Sequence, residues 1–173
     1  MSEEDHILEA QDGLGADPEP GAGDEERLPE RQYCIFRAGR ERFCIPVCDV
    51  EEVVEWPTVT AVPLSPSFLV GIFNLRGAIV PIVDIAFTAS ARPEQKTRHV
   101  VVGLLGHQQD RDALRIGLAA DEVIGTYTTR DPLLVAEAPR DVPHCCGMLR
   151  QGDKLALALD LKRVPEIFPV PVI

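Results

Sequence analysis

Two apolar runs, Val70 to Phe73 and Ala78 to Ile85, flank the polar turn Asn74-Leu75-Arg76-Gly77. Val and Ile dominate the second run, and branching at Cβ suits an extended, pleated backbone. The pattern predicts a β-hairpin or tight β-corner at the turn, with Gly77 supplying a positive φ. Two roles are open for Arg76: a side chain standing in solvent, or a handle that the turn holds out for a partner.

The same alternation predicts the other elements. Tyr33-Cys34-Ile35-Phe36 and Arg42-Phe43-Cys44-Ile45 are strands joined through Ala38-Gly39-Arg40-Glu41, an antiparallel hairpin by spacing. Pro46 has no N–H to donate and ends that pairing. Val47, Val50 and Val53-Val54 recur at about helical spacing, which predicts a short helical turn leading into a strand near Val53 to Trp56. Thr58 to Val62 alternates weakly, as a short strand would. Ser65 and Pro66 suit the start of a one-turn helix over Phe68-Leu69-Val70. Thr88 to Thr97 is a polar loop. His99 to Leu105 is apolar throughout, a strand buried on both faces, and after the turn at Gly106 to Arg111 comes a strand over Leu114 to Ala120. Asp121 to Thr128 continues extended, Arg130 to Val142 is loop, and Cys146 to Arg150 turns through Gln151-Gly152-Asp153 into Lys154 to Leu161. A helix starting near Leu161 is kept short by Pro165, Pro169 and Pro171.

The chain also echoes itself. Gly71 to Ile85 and Gly147 to Leu161 each run from a glycine through a glycine-containing turn and an apolar strand to an acid followed by a branched residue. Cys48 to Val53 and Ala120 to Ile124 share an acid followed by valines. Two related halves, about 31–90 and 97–166, would each hold around five short strands. An all-β chain built as two small barrels side by side, with few short helices, is the expected architecture.

Charge separates the ends from the middle. The formal net charge is −11 over 173 residues. Residues 1–30 carry eleven acids against the single basic Arg27, whereas residues 31–173 carry 17 acidic and 16 basic residues. With repeated Gly and Pro and no aromatic residue, 1–30 reads as a disordered acidic tail. Residues 167–173 form a proline-rich end. Clustered Lys and Arg of the kind that bind nucleic acid are absent. No apolar run approaches the roughly 20 residues that span a bilayer, so direct membrane insertion is not expected. An acidic start without a basic-then-apolar leader, and an odd count of five cysteines, argue for reduced thiols in the cytoplasm.

Reactive constellations are missing. Among the four histidines only His144-Cys145-Cys146 groups with potential ligands, and adjacent donors cannot complete a four-coordinate site. There is no Gly-x-Ser-x-Gly elbow, phosphate loop or dinucleotide fingerprint. Asp84, Asp121 and Asp160 each follow an apolar strand, where a carboxylate closes the strand end by hydrogen bonding. The expectation is a binding module with no catalytic residue, cofactor or metal.

Asn74 to Ile85 resembles the signature of CheW-type chemotaxis coupling proteins. The resemblance covers about residues 31–165. It takes in the first hairpin, Val50-Glu51-Glu52-Val53, the Pro66-x-Phe68 step before Gly71, and Gly117 to Val123. It implies a domain over 31–166 made of two five-stranded SH3-like barrels sharing a hydrophobic core. It also implies a non-enzymatic adaptor between a chemoreceptor signalling tip and the regulatory domain of a CheA-type histidine kinase, cytoplasmic and recruited to receptor arrays.

By the same resemblance Arg76 is implicated in receptor coupling, and Gly71 stands where added bulk would obstruct contact. Val50, Glu52 and Val53 match a partner-binding patch, and Val100 and Val123 match valines lining the surface between the barrels. Each of these valines is also a candidate core residue. Departures from the family pattern are the tail 1–30, Glu122 where a glycine is common, the proline-broken end from Pro165, and Cys145-Cys146. The five cysteines motivate a second reading from another class: a thiol-based redox or metal sensor on the same scaffold.

Overall fold

Alternation along the strands, with both faces apolar, sorts the side chains into three cores. The computed structural model describes residues 28–86, 98–105, 114–135, 142 and 144–167. The acidic stretch 1–27, the loop 88–97, the turn 106–111 and the proline-rich end beyond 167 lie outside the described residues. In chain order the strands are β1 (Arg31–Ala38), β2 (Glu41–Pro46), β3 (Val50–Glu55), β4 (Leu69–Leu75), β5 (Ala78–Val83), β6 (His99–Leu105), β7 (Leu114–Ala120), β8 (Glu122–Thr129), β9 (Cys145–Gln151) and β10 (Lys154–Leu159). A 3-10 turn at Val47–Asp49 and the single-turn helix α1 (Val164–Ile167) complete them.

The strands form two five-stranded sheets, ordered β8-β1-β2-β10-β9 and β3-β6-β7-β5-β4. The chain is all-β, two small SH3-like barrels with almost no helix. The consecutive halves 31–90 and 97–166 are not the barrels, which corrects the expected boundaries. The second sheet is built from one continuous stretch, β3 through β7, while the first takes β1 and β2 from before it and β8 to β10 from after it. Each half gives a hairpin to one sheet and its remaining three strands to the other.

The internal repeat is nonetheless structural. Within each sheet, β1-β2 stands where β6-β7 does, β8 where β3 does, and the β10-β9 hairpin where β5-β4 does. The parallel pairings match: β10 on β2 through Ala158 and Cys44, β5 on β7 through Ile82 and Gly117. Asp84 and Asp160 play one role: each carboxylate accepts from the backbone N–H two residues on, at 3.1 Å in both cases. Thr60 bridges Ile72 as Leu134 bridges Met148.

Inside the first barrel lie Tyr33, Ile35, Cys44, Leu149, Ala156 and Ala158. Inside the second lie Phe73, Val80, Ile82, Val100, Val102 and Ala119. The alternate residues of the same strands meet between the barrels: Phe36, Phe43, Ile45, Val101, Ile116, Leu118, Leu157 and Leu159 among them. A strand serving two cores must be apolar on both faces, which accounts for the unbroken run Val100-Val101-Val102.

Two local expectations change. Thr58 to Val62 makes only the Thr60–Ile72 bridge rather than a strand. The one-turn helix over 68–70 does not form. The Leu69 N–H closes a single turn on Pro66 O at 3.0 Å, and Leu69 then starts β4 because its side chain is buried.

Candidate functional site

The hairpin between β4 and β5 is as short as one can be. Leu75 pairs with Ala78, so Arg76 and Gly77 are the whole loop. Both have positive φ, +51° and +91°. Two-residue hairpins favour such turns because their twist matches that of the strands. Glycine adopts this conformation freely, whereas a residue with a Cβ gives up roughly 1 kcal/mol there. Asn74 offsets part of that cost: its Oδ1 accepts a hydrogen bond from the Gly77 N–H at 2.8 Å. The Arg76 side chain is held outward, 78% exposed.

Facing it is β3, an edge strand of the second sheet. Its register on β6 slips between Val50 and Glu52, which makes Glu51 the extra residue of a bulge. A bulge re-aims side chains at a sheet edge, and here the two neighbouring acids go to different arginines. Glu51 takes Arg115 of β7 in a forked pair, 2.6 Å to Nε and 3.0 Å to Nη2. Glu52 accepts from Arg76 Nη2 at 2.9 Å through Oε2. Its other oxygen, Oε1, is buried and meets no donor among the described residues. Val53 stands exposed further along the same strand, and Trp56 just past its end.

The sequence candidates therefore separate. Arg76 and Glu52 are brought together, and Val53, 40% exposed, follows Glu52 on the edge strand and by alternation faces the other way. Val50 and Val123 are half-buried at the margin of the shared core. They occupy corresponding places, Val50 opposite Gly103 and Val123 opposite Phe36. Val100 is wholly buried inside the second barrel, so it lines no surface. Gly71 is buried as well. Its φ is +154°, and a Cβ there would come within 2.6 Å of both the Thr60 carbonyl oxygen and Val59 Cγ1. The chain itself fills the space, and this glycine is required by packing.

Sequence reading missed Arg115, which lies 64 residues from Glu51 and forms no motif with it. The pattern places Trp56 only as the end of a strand and does not mark it as exposed apolar surface. A lone tryptophan beside a proline-ended strand was the available signal.

The thiols fit no reactive centre. Cys34, Cys44 and Cys145 are buried. Burial pushes Cys44 up to about 12, and burial is the leading cause of the upward shift at each of the other four. A thiolate is needed for nucleophilic or metal chemistry. Among the described residues no three His, Cys, Asp or Glu side chains gather as a metal site would need.

Residues 32–167 match the family model of the CheW-like domain. The chain belongs to the CheW-like family. A probable chemotaxis protein CheW of Rhizobium etli is 35% identical over 137 residues, 78% of this chain and 82% of that protein. The chemotaxis protein CheW of Rhizobium meliloti is 32% identical over 102 residues, 58% of this chain and 63% of that protein. The crystal structure of the scaffolding protein TtCheW from Thermoanaerobacter tengcongensis superposes with a TM-score of 0.65 at 22% identity, covering 83% of this chain and 93% of its own. That likeness concerns the fold. The CheW-like match ends where α1 ends, and it begins after the acidic stretch.

Proposed function

We propose that this CheW-like chain is a non-enzymatic adaptor that couples a chemoreceptor signalling tip to the regulatory domain of a CheA-type histidine kinase, in the cytoplasm at receptor arrays. The observation that carries the reading is the Arg76 hairpin. The fold spends an unfavourable backbone conformation on holding one guanidinium in solvent, beside a half-buried carboxylate and an open strand edge. A guanidinium presents a planar fork of donors that suits carboxylates and backbone carbonyls of a receptor helix. Val53 on the same edge strand and Trp56 just past its end are exposed apolar side chains, and edge strands accept partners through their free backbone groups.

Two barrels of one design, placed about a shared core, offer two comparable surfaces, as a protein joining two partners requires. Pull-down of the full chain with a receptor-tip fragment and, separately, with a kinase regulatory domain tests the reading. Capture of both is expected, and capture of neither refutes it. The redox or metal sensor finds no support in the raised thiols or in the placement of the cysteines.

A further inference from the structure

The first barrel has a counterpart to the Arg76 mouth, and its chemistry is different. At the end where β1 turns into β2, an open cleft of about 550 Å³ is lined by Arg37, Arg42, Glu122, Ile124, Lys154 and Leu155. Ile124 and Leu155 stand exposed in it. Three cations face two carboxylates, and both carboxylates are taken by Arg37, so Arg42 and Lys154 have no acid of their own among the described residues. Arg37 reaches Asp121 at 3.2 Å and Glu122 at 3.5 Å, and Arg42 donates to the neutral Gln151 Oε1 at 2.8 Å. Arg42 Nε is buried and meets no acceptor among the described residues. The cleft thus combines surplus positive charge with two uncovered apolar side chains.

We propose that the acidic N-terminal stretch of this same chain, residues 1–27, occupies the cleft. Ten of its residues are Asp or Glu, against Arg27 alone, and Ile7-Leu8 and Leu14 sit among them. Acids would meet Arg42 and Lys154, and the leucines and isoleucine would cover Ile124 and Leu155. The tether permits it. The described chain begins at Leu28 and enters β1, whose neighbours β8 and β2 are the strands that frame the cleft. From there to Arg37 the strand runs roughly 30 Å. A chain of 27 residues spans about the same distance at its root-mean-square extension. Occupancy adds a function that the adaptor reading does not contain, and it stands whether or not that reading holds. So placed, the segment would cover Ile124 and Leu155, the two apolar side chains that stand exposed in the cleft.

The test uses the full chain with methyl and arginine side-chain NMR. One variant replaces the Asp and Glu of 1–27 by Asn and Gln; a second carries Arg42→Glu with Lys154→Glu. Both should show the same displaced methyl resonances of Ile124 and Leu155 relative to the native chain. Native spectra should move toward the neutralised ones as salt is raised to 0.5 M, where charge attraction is screened within a few ångströms. The shifts should not depend on protein concentration. Unchanged Ile124 and Leu155 methyls on tail neutralisation overturn the proposal. So do changes confined to other basic residues such as Arg115, and so does a concentration dependence, which would place the tail on a second copy.

Discussion

Arg76 and Glu52 form an ion pair at 2.9 Å in which one partner is almost free in solvent and the other half-buried, its second oxygen meeting no donor among the described residues. Surface pairs of this kind contribute about 0–1 kcal/mol to stability. The pair is better suited to aiming the guanidinium than to holding the fold.

Arg76→Ala should therefore change the melting temperature little, with a stability loss under about 1 kcal/mol. Binding to a receptor-tip fragment should fall at least about tenfold, which corresponds to roughly 1.4 kcal/mol. Thermal denaturation and titration calorimetry on the same preparations check both halves. A large stability loss would make Arg76 a structural residue.

Gly71→Ala should behave in the opposite way. The added methyl meets the Thr60 carbonyl and Val59 at 2.6 Å, in a backbone conformation that side chains rarely adopt. Overpacking costs about 1–3 kcal/mol, and the strained φ adds to it. A marked drop in melting temperature is expected, with any binding defect following from it. A normal melting curve with lost binding would return Gly71 to the contact surface.

Val100 and Val53 separate core from surface among the valines that the family resemblance singles out. Val100→Ala removes about two methylene equivalents from a fully buried site and should cost roughly 2 kcal/mol. Val53→Ala, at an exposed edge position, should leave unfolding curves within about 0.5 kcal/mol of the native chain while weakening partner capture. Denaturant unfolding distinguishes the two directly.

These contrasts mark what the sequence made legible. The hairpins, the repeat of Gly71–Ile85 in Gly147–Leu161 and the strand-end carboxylates could be read because each is local. The assortment of strands could not. Val100-Val101-Val102 is apolar on both faces whichever barrel it joins, so alternation carries no address, and β3 and β8 each leave the hairpin that precedes them. The Glu51–Arg115 fork spans 64 residues, and only the folded sheet brings it together. The motif singles out Arg76, but the sequence signals a positive φ at Gly77 alone, since a lone arginine gives no local sign of that conformation.

Acid should destabilise the chain through His144. It is buried, with its ring 6.4 Å from that of Phe43, and burial lowers its pKa below the ordinary 6.5. The unfolded chain then binds a proton that the folded chain refuses. The histidine's share of stability is fully present above about pH 6.5 and is lost as the pH falls through the folded value. Melting temperature measured from pH 7.5 to 5 should decline, and His144→Phe should flatten the decline.

Thiol titration of the native chain should find one promptly reactive cysteine, the exposed Cys48, then a slower half-buried Cys146, with the buried Cys34, Cys44 and Cys145 reacting only on unfolding. Above about pH 9 the raised Cys44 works in the other direction. The unfolded thiol ionises first, so stability present below that pH is lost as it rises toward about 12. Prompt reaction of Cys145 and Cys146 together would revive a redox role.

The central claim is that one chain joins two partners. Analytical ultracentrifugation of the full chain with a receptor-tip fragment and a CheA-type regulatory domain tests it most directly. The adaptor account predicts a single ternary species that the native chain forms and Arg76→Ala does not. Two mutually exclusive binary complexes, or a ternary species indifferent to Arg76, would contradict it.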